Sequence, residues 1–139
     1  MIKRALRRLV ILSLLAGWQS QAGSAIVVIT HAGVPTPDPA ALQKVYTGRL
    51  IEIGGVLVLP ANARGGPLRA QFLRTFVKQD EDAYQAYWTV RRFIGKGVPP
   101  REISTPGEMI GYVESTPGAI GYVEESDLQP GANVLVIRQ

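Results

Sequence analysis

The chain has 139 residues, which is enough for one domain with a hydrophobic core and too few for two lobes that each bury their own. Its 15 basic and 11 acidic residues give a formal net charge of +4, and it has no cysteine. We therefore expect no disulfide, no thiolate metal site, no cysteine nucleophile and no lipid-anchored cysteine. Packing alone must stabilise the fold.

The amino-terminal 25 residues predict a cleaved secretory signal peptide. Four basic residues precede an apolar run over 9–18, and small residues follow it. The run is shorter than the roughly 20 residues that span a bilayer. Cleavage after Ala22 and cleavage after Ala25 both fit the pattern, and an uncleaved anchor is the alternative. We take 1–25 as the signal peptide, 26–139 as a single domain, and the periplasm as its location.

Removing the signal peptide changes the electrostatic interpretation. Four of the 15 basic residues and none of the 11 acidic ones lie in it, so the remaining domain carries 11 of each. A near-neutral domain gives no support for binding nucleic acid or an anionic membrane, because both need a basic patch. After cleavage we expect neither a nucleic-acid partner nor a membrane span.

The first half of the domain alternates predicted strands and helices. The β-branched apolar run 25–30 predicts a strand buried on both faces, and a proline-rich loop follows it. Asp38 then caps a short predicted helix that ends at about Thr47. After a double-glycine turn, the apolar run 56–59 predicts a second buried strand, which Pro60 closes.

Two helices with apolar stripes are predicted next. The first covers about 67–78 and directs Arg69 away from its apolar side. The second runs from Asp80 to about Gly95, with acidic residues in its first turn and basic residues in its last. Its predicted inner face consists of residues at helical spacing: Ala83, Tyr87, Val90 and Ile94. Three further aromatic side chains predict either core packing or an exposed protein-interaction surface: Tyr84, Trp88 and Phe93.

The last third of the chain contains a short internal repeat. Ile-Gly-Tyr-Val-Glu occurs at 110–114 and again at 120–124, each time after Ser-Thr-Pro-Gly. A capping box ahead of the first copy predicts a helix over about 106–114. Only a turn precedes the second copy, which we predict to be a strand over 119–123, with a last strand over 133–137. A tandem duplication without functional meaning explains the repeat itself.

The element order β-α-β-α-α-α-β-β predicts an α/β fold with helices on both faces of a mixed sheet.

Residues for catalysis or metal binding are scarce in this sequence. His31, the single histidine, lies in a loop without a nucleophile motif, so solvation and ligand contact are its two interpretations. The acidic cluster at 80–82 fits the first turn of a helix better than a cation site. We expect no enzymatic activity, no metal and no cofactor.

The segment from Asn62 to Arg69 is the best candidate for a binding site. It leaves a predicted strand and enters a helix, where open α/β sheets place their ligands. Backbone N–H groups attract anions there, glycines allow close approach, and arginines supply forked donors. A Gly-Gly-Pro turn between strand and helix also needs no ligand to explain it. The candidate anion-binding residues are Asn62, Arg64, Gly65, Gly66 and Arg69, completed by Thr116 and Gly118.

Several stretches carry a family resemblance. They are an apolar strand from Ile26, the helix end Val45-Tyr46-Thr47-Gly48-Arg49, a helix that carries Phe72 after Arg64, and the run Pro117-Gly118-Ala119-Ile120-Gly121-Tyr122-Val123. Together they resemble the phosphate-binding, PstS-like family of periplasmic solute-binding proteins, in particular its short single-lobe members. The last run is the most specific, and the match covers nearly all of 26–139. The resemblance implies one lobe of a type II periplasmic-binding-protein-like fold.

One departure from the family weakens the phosphate site that the resemblance implies. In the family, a Ser-Gly-Thr triplet at the head of the phenylalanine-bearing helix supplies hydroxyl and backbone donors to phosphate. Aligned on Phe72, the triplet falls on Gly66, Pro67 and Leu68, which lack both hydroxyls and one N–H group. Each missing donor in a buried, charged site costs about 1.5–3 kcal/mol. A chain of this length also offers no second lobe to close over a ligand.

The sequence therefore predicts a non-enzymatic, periplasmic solute-binding-protein-like domain with a degenerate anion site. The partners it implies are a small, phosphate-like anion or another protein of the cell envelope. The alternative is a protein-interaction or accessory module of an envelope transport or signalling system, which would use the surface around Tyr84, Trp88 and Phe93.

Overall fold

The computed structural model describes residues 25–138, so the predicted signal peptide lies outside the described residues except for Ala25. The strands of the described part are β1 (Ile26–Thr30), β2 (Glu52–Ile53), β3 (Val56–Leu57), β4 (Leu59–Ala63), β5 (Arg101–Ile103), β6 (Ala119–Glu124) and β7 (Leu135–Ile137). Its α-helices are α1 (Pro39–Tyr46), α2 (Gly66–Phe72), α3 (Glu81–Phe93) and α4 (Pro106–Ser115). A π-helical segment, Leu73–Val77, continues α2.

Five strands form one mixed sheet in the order β5-β4-β6-β1-β7. β4 is parallel to β5 and β6, whereas β1 is antiparallel to β6 and β7. Because β4, β5 and β6 run in the same direction, their carboxyl ends share one edge of the sheet, which we call the carboxyl edge. Both α2 and α4 begin there, since they follow β4 and β5 along the chain. The predicted mixed α/β sheet is confirmed.

Helices cover both faces of this sheet, as predicted. On the side of α1, α2 and α3, the hydrophobic cluster includes Val28, Leu42, Tyr46, Phe72, Tyr84 and Tyr122. On the side of α4, a second cluster includes Val27, Ile29, Met109, Val113 and Val123. Successive residues of β1 enter opposite clusters because side chains alternate along a strand. The prediction of a first strand buried on both faces is therefore confirmed.

Helix starts follow the predicted caps. The carboxylates of Asp38 and Asp80 and the hydroxyl of Thr105 each accept a hydrogen bond from the N–H group three residues later, at 2.7, 2.8 and 3.2 Å. The helix that includes α2 begins at Gly66, one residue before its predicted start. Lys78 ends it in the left-handed conformation, with φ 64°. Within residues 25–138, no helix has the length and apolarity needed to cross a membrane.

The repeated pentapeptide adopts two different structures, as predicted. Ile110–Glu114 lies in α4, and Ile120–Glu124 lies in β6. The cap at Thr105 starts a helix ahead of the first copy, whereas the second copy pairs with β1 on one side and β4 on the other. Tertiary pairing therefore overrides the identical local sequence.

The prediction of the second strand is wrong in its placement. Val56–Leu57 pairs with β2 in a separate hairpin, and the strand inside the sheet is β4. Pro60 lies within β4 and does not close it. It is tolerated because β5 pairs with β4 only from Ala61 onward, so no ladder hydrogen bond is lost at the proline. The three-residue strand β5 was not predicted, since it falls in what the sequence indicates to be a linker.

The predicted inner face of α3 is wrong at three of its four residues. Ala83, Val90 and Ile94 are exposed, whereas Tyr87 is half-buried against the core, and the helix buries Tyr84 and Trp88 against α1 and the sheet. Burial of Tyr84 is favoured because its hydroxyl donates to the Tyr46 carbonyl at 2.9 Å, which satisfies the polar end of the ring.

Gly118 provides a test of the packing between β6 and the hairpin. Its φ is +83°, and a Cβ atom there would collide with the carbonyl oxygen of Leu57. We predict that Gly118→Ala lowers the free energy of unfolding by about 2–4 kcal/mol, measured by urea denaturation. The control is Gly131→Ala, at φ +87° with no neighbouring atom within 4 Å. Equal losses in the two variants would contradict the collision.

Candidate functional site

A cleft of about 170 Å³ lies at the carboxyl edge, between the heads of α2 and α4. Among the residues that line it are Arg64, Gly65, Gly66, Ser104, Thr105 and Tyr122. Gly65 and Gly66 both have positive φ, 64° and 83°, so the turn from β4 into α2 requires conformations that glycine adopts without strain. Prolines in the first turns of both helices remove N–H groups from the walls of the cleft.

Arg64 is the predicted site residue whose side chain is free to meet a ligand. Its backbone N–H donates to the Ile103 carbonyl at 2.9 Å, which ties the loop to the end of β5. Its side chain is exposed and forms no ion pair among the described residues. The structure therefore brings together Arg64, Gly65 and Gly66 at the head of α2, beside the hydroxyl-bearing residues Ser104 and Thr105.

Asn62 is buried at the end of β4 and is used internally. Its amide nitrogen donates to the Tyr84 hydroxyl at 3.0 Å, and its amide oxygen accepts from the Tyr122 hydroxyl at 3.1 Å. The Tyr122 oxygen in turn accepts from the Ala63 N–H group at 3.0 Å. With 1% of its surface exposed, Asn62 holds β4, β6 and α3 together. Both ends of its amide are therefore used within the lobe.

The tyrosines around Asn62 stay protonated. Burial, the largest effect, raises the pKa of Tyr84 and Tyr122 above the ordinary value of a phenol, and it raises the pKa of Tyr46 in the same way. Their hydroxyls are therefore reliable hydrogen-bond donors at neutral pH. Phe72 stacks on the Tyr122 ring, with centroids 3.7 Å apart and planes 5° from parallel. The phenylalanine of α2 thus fixes the ring that carries this hydroxyl.

Arg69 is the clearest correction to the sequence analysis, because it points inward. It is 5% exposed, and its guanidinium binds both carboxylate oxygens of Glu81 at 2.8 Å. The same group donates to Glu102 at 3.0 Å and to the Ala63 carbonyl at 3.2 Å. Arg69 turns inward since these acceptors, from α3, β5 and β4, match the planar fork of its donors.

The Arg69 cluster is separated from the cleft that Arg64 lines. Arg69 and Glu102 border a different cavity of about 220 Å³, together with Gln85, Trp88, Thr89 and Arg92. The Arg69 guanidinium pairs with two carboxylates, Glu81 and Glu102, and the Arg92 side chain lines the cavity beside them. Arg64 and Arg69, the two arginines named as candidate anion donors, therefore line different cavities.

Opposing effects set the pKa of Glu81. Burial alone would raise it, but the hydrogen bonds from Arg69 and Gln85 and the charge of Arg69 hold the pKa of Glu81 below its ordinary value. For Arg69, burial alone would lower the pKa, and the bond to Glu81 outweighs it. Both groups are therefore charged at neutral pH.

Thr116 and Gly118 lie at the opposite edge of the sheet. β4 and β6 are parallel and Leu59 pairs with Ala119, so Gly118 stands beside the start of β4 rather than its end. Its carbonyl accepts from Leu59 N–H at 2.9 Å, and the Thr116 carbonyl accepts from Ala119 N–H at 3.0 Å. Their inclusion in the site was wrong, because the sequence did not reveal that β4 and β6 run in parallel.

His31 contacts its own loop, where its Nδ1 atom accepts a hydrogen bond from the Gly33 N–H group at 3.3 Å. Among residues 25–138, no group of three or more histidine, cysteine or acidic side chains is arranged to hold a metal ion. The sequence analysis missed Glu102, which lies in the unpredicted strand β5, and the second role of Glu81, which it interpreted only as part of a helix first turn.

Comparison with known proteins supports the fold. No family model matches the sequence, and no curated protein sequence matches it. In structure the chain is similar to an ABC-type phosphate transport receptor from Vibrio cholerae, with a TM-score of 0.53 and 11% sequence identity. The alignment covers 83% of this chain and 46% of the receptor, so the chain spans about half of that protein's length. At this identity the likeness shows the fold alone: an α/β lobe similar in structure to about half of that receptor.

The Asn62 network is tested by removing one hydroxyl. Tyr122→Phe leaves the Asn62 amide oxygen and the Ala63 N–H group without a partner. We predict a loss of about 1–3 kcal/mol in the free energy of unfolding, measured by chemical denaturation. The matched control is Tyr112→Phe, whose hydroxyl makes a longer, exposed bond of 3.4 Å to Leu59. If both variants lose the same stability, the network has no special role.

The Arg69–Glu81 pair predicts a pH dependence of stability. The folded-state pKa of Glu81 is lowered, so its contribution is present above the unfolded pKa, about 4.5, and disappears as the pH falls through the folded pKa. We predict that the stability difference between wild type and Glu81→Gln shrinks below about pH 4.5. In an Arg69→Met background the same substitution should show no such change. A difference that stays constant down to about pH 3 in the wild-type background would contradict the pairing.

Proposed function

We propose that this chain is a non-enzymatic binding lobe of the cell envelope, related in fold to phosphate transport receptors, with a degenerate anion site at its carboxyl edge. The fold and the position of the cleft support this proposal, since open α/β sheets bind ligands outside the carboxyl ends of their strands. The observation that carries it is the internal use of Arg69, the one buried cation among residues 25–138.

Two features make the proposed anion site weak. Arg69 is neutralised by Glu81 and Glu102, and an added anion would have to displace one of these carboxylates to pair with it. The head of α2 also carries no hydroxyl at Gly66, Pro67 or Leu68. A dry site that leaves an anion's oxygens unpaired binds weakly, because each unpaired acceptor retains its desolvation penalty.

A weak anion site would use what the cleft still offers. The exposed guanidinium of Arg64 supplies charge, and the cleft is also lined by the hydroxyl-bearing residues Ser104 and Thr105. The Thr105 hydroxyl already accepts a hydrogen bond from Glu108 N–H, which leaves its own proton to donate. This set suits a small oxyanion held at the surface of the lobe.

The proposed location is the periplasm, after removal of the signal peptide. The likeness to a transport receptor supports it, as does the basic-then-apolar pattern of the first 25 residues. The Ala25 carbonyl accepts a hydrogen bond from Glu125 N–H at 2.8 Å, so cleavage after Ala22 would retain this bond and cleavage after Ala25 would remove it.

A second candidate function is a protein-interaction module, and the exposure of α3 favours it. Tyr84 and Trp88 are buried, so the aromatic surface named from the sequence does not exist in that form. Phe93, however, is 92% exposed, with Ile94 and Val90 beside it on the helix. Of the three aromatic residues named from the sequence, this candidate surface keeps Phe93, with Val90 and Ile94 in place of the two buried rings.

Calorimetric titration tests the anion site. We expect phosphate and sulfate to bind the protein purified from the periplasm with a dissociation constant of about 1 mM or weaker. Arg64→Ala should abolish this binding. The matched control, Arg74→Ala, removes an exposed arginine outside the cleft and should leave it unchanged. Micromolar affinity would contradict a degenerate site, and complete absence of binding would remove the anion site altogether.

A further inference from the structure

The exposed side of α3 carries an apolar stripe that the lobe does not cover. The stripe consists of Ala83, Ala86, Val90, Phe93 and Ile94, all exposed, and we call it the outer face of α3. These residues recur at spacings of three and four, so they lie along one side of the helix. Phe93 is 92% exposed, Val90 59% and Ile94 58%. A contiguous apolar surface of this kind indicates a binding partner.

The outer face is not needed for the lobe's own core. The opposite side of α3 buries Tyr84 and Trp88, and Arg91 stacks on the rings of Tyr87 and Trp88 at 5.5 and 5.6 Å. The helix therefore has two apolar sides, of which the fold uses one. A helix that is apolar on both sides is typical of burial between two packed layers.

Charges at the two ends of this face have opposite signs. Asp82 lies at the amino-terminal end of α3, and Lys96 follows shortly after its carboxyl-terminal end. Both side chains are exposed, and neither forms an ion pair within residues 25–138. An antiparallel partner helix with the same polarity would place opposite charges together at both ends.

A second copy of this chain has that polarity. In a two-fold symmetric pair, the acidic end of one α3 meets the basic end of the other, and the contact occurs twice. The sizes of the side chains are also complementary, because the large Phe93 of one copy would meet the small Ala83 and Ala86 of its partner. We propose that the outer face of α3 is a homodimer interface in which two α3 helices pack antiparallel across a two-fold axis.

Other occupants fit the charges less well. An anionic membrane would attract the Lys96 end of the face but repel the Asp82 end. A parallel pair of helices would bring like charges together at both ends. The interface does not involve the cleft at the carboxyl edge. The dimer and the proposed anion site can therefore be tested independently of each other.

The size of the contact sets the expected affinity. α3 has 13 residues, so the paired segment is about 20 Å long. A contact of one helix per copy lies at the small end of protein interfaces, for which we expect a dissociation constant of about 10–100 µM. Sedimentation equilibrium of the processed protein up to about 1 mM should therefore show a reversible monomer–dimer equilibrium.

A charge-swap experiment tests the antiparallel geometry. Asp82→Lys and, separately, Lys96→Glu each place like charges together at both ends, so each should weaken dimerisation about 10-fold. An equimolar mixture of the two should recover a dimer. In the mixed pair, the lysine introduced at position 82 of one chain faces the glutamate introduced at position 96 of the other, and the native charges pair at the opposite end. Circular dichroism and thermal unfolding check that each variant is folded.

The apolar part of the interface has its own variant and control. Phe93→Glu should weaken dimerisation by about 10-fold or more, whereas Leu57→Glu, at an exposed apolar residue of the hairpin, should leave it unchanged. A wild-type protein that is monomeric at about 1 mM overturns the proposal, as do folded charge-swap variants that fail to dimerise when mixed. A monomer that binds phosphatidylglycerol vesicles through Phe93 would instead assign the face to a membrane.

Discussion

The hydrogen bonds of Asn62 are the constraint on which the rest of the structure depends. A buried amide at the end of a central strand must find a partner for both its donor and its acceptor, since leaving either unpaired costs more than most packing contacts return. Tyr84 and Tyr122 provide those partners at 3.0 and 3.1 Å. Their rings come from α3 and β6, so satisfying one amide fixes a helix and a strand against β4.

Fixing Tyr84 inward determines the orientation of α3. Once Tyr84 faces the sheet, Trp88 one turn later faces it too, and the residues on the other side of the helix are turned to solvent. The same orientation brings Glu81 to Arg69, which draws that arginine away from the head of α2. One network therefore explains both the exposed outer face of α3 and the absence of Arg69 from the lining of the cleft.

The carboxyl edge combines an exposed set of residues with a buried polar set. It presents a glycine turn, two helix heads and an exposed arginine, whereas the buried polar groups there bind one another. The fold does not require a ligand at this edge. The buried Asn62 amide and Arg69 guanidinium need hydrogen-bond partners, and either a ligand or the protein itself can provide them.

Local signals in the sequence determined the elements. The caps at Asp38, Asp80 and Thr105 placed three helix starts, and the β-branched run before His31 placed a strand that is buried on both faces. Only the tertiary structure decided which strand enters the sheet beside β6, which side of α3 is buried, and that Arg69 faces inward. Those outcomes depend on partners distant in the sequence, such as Glu102 for Arg69 and Tyr46 for Tyr84. When a helix such as α3 has two apolar sides, the sequence alone does not show which side packs against the core.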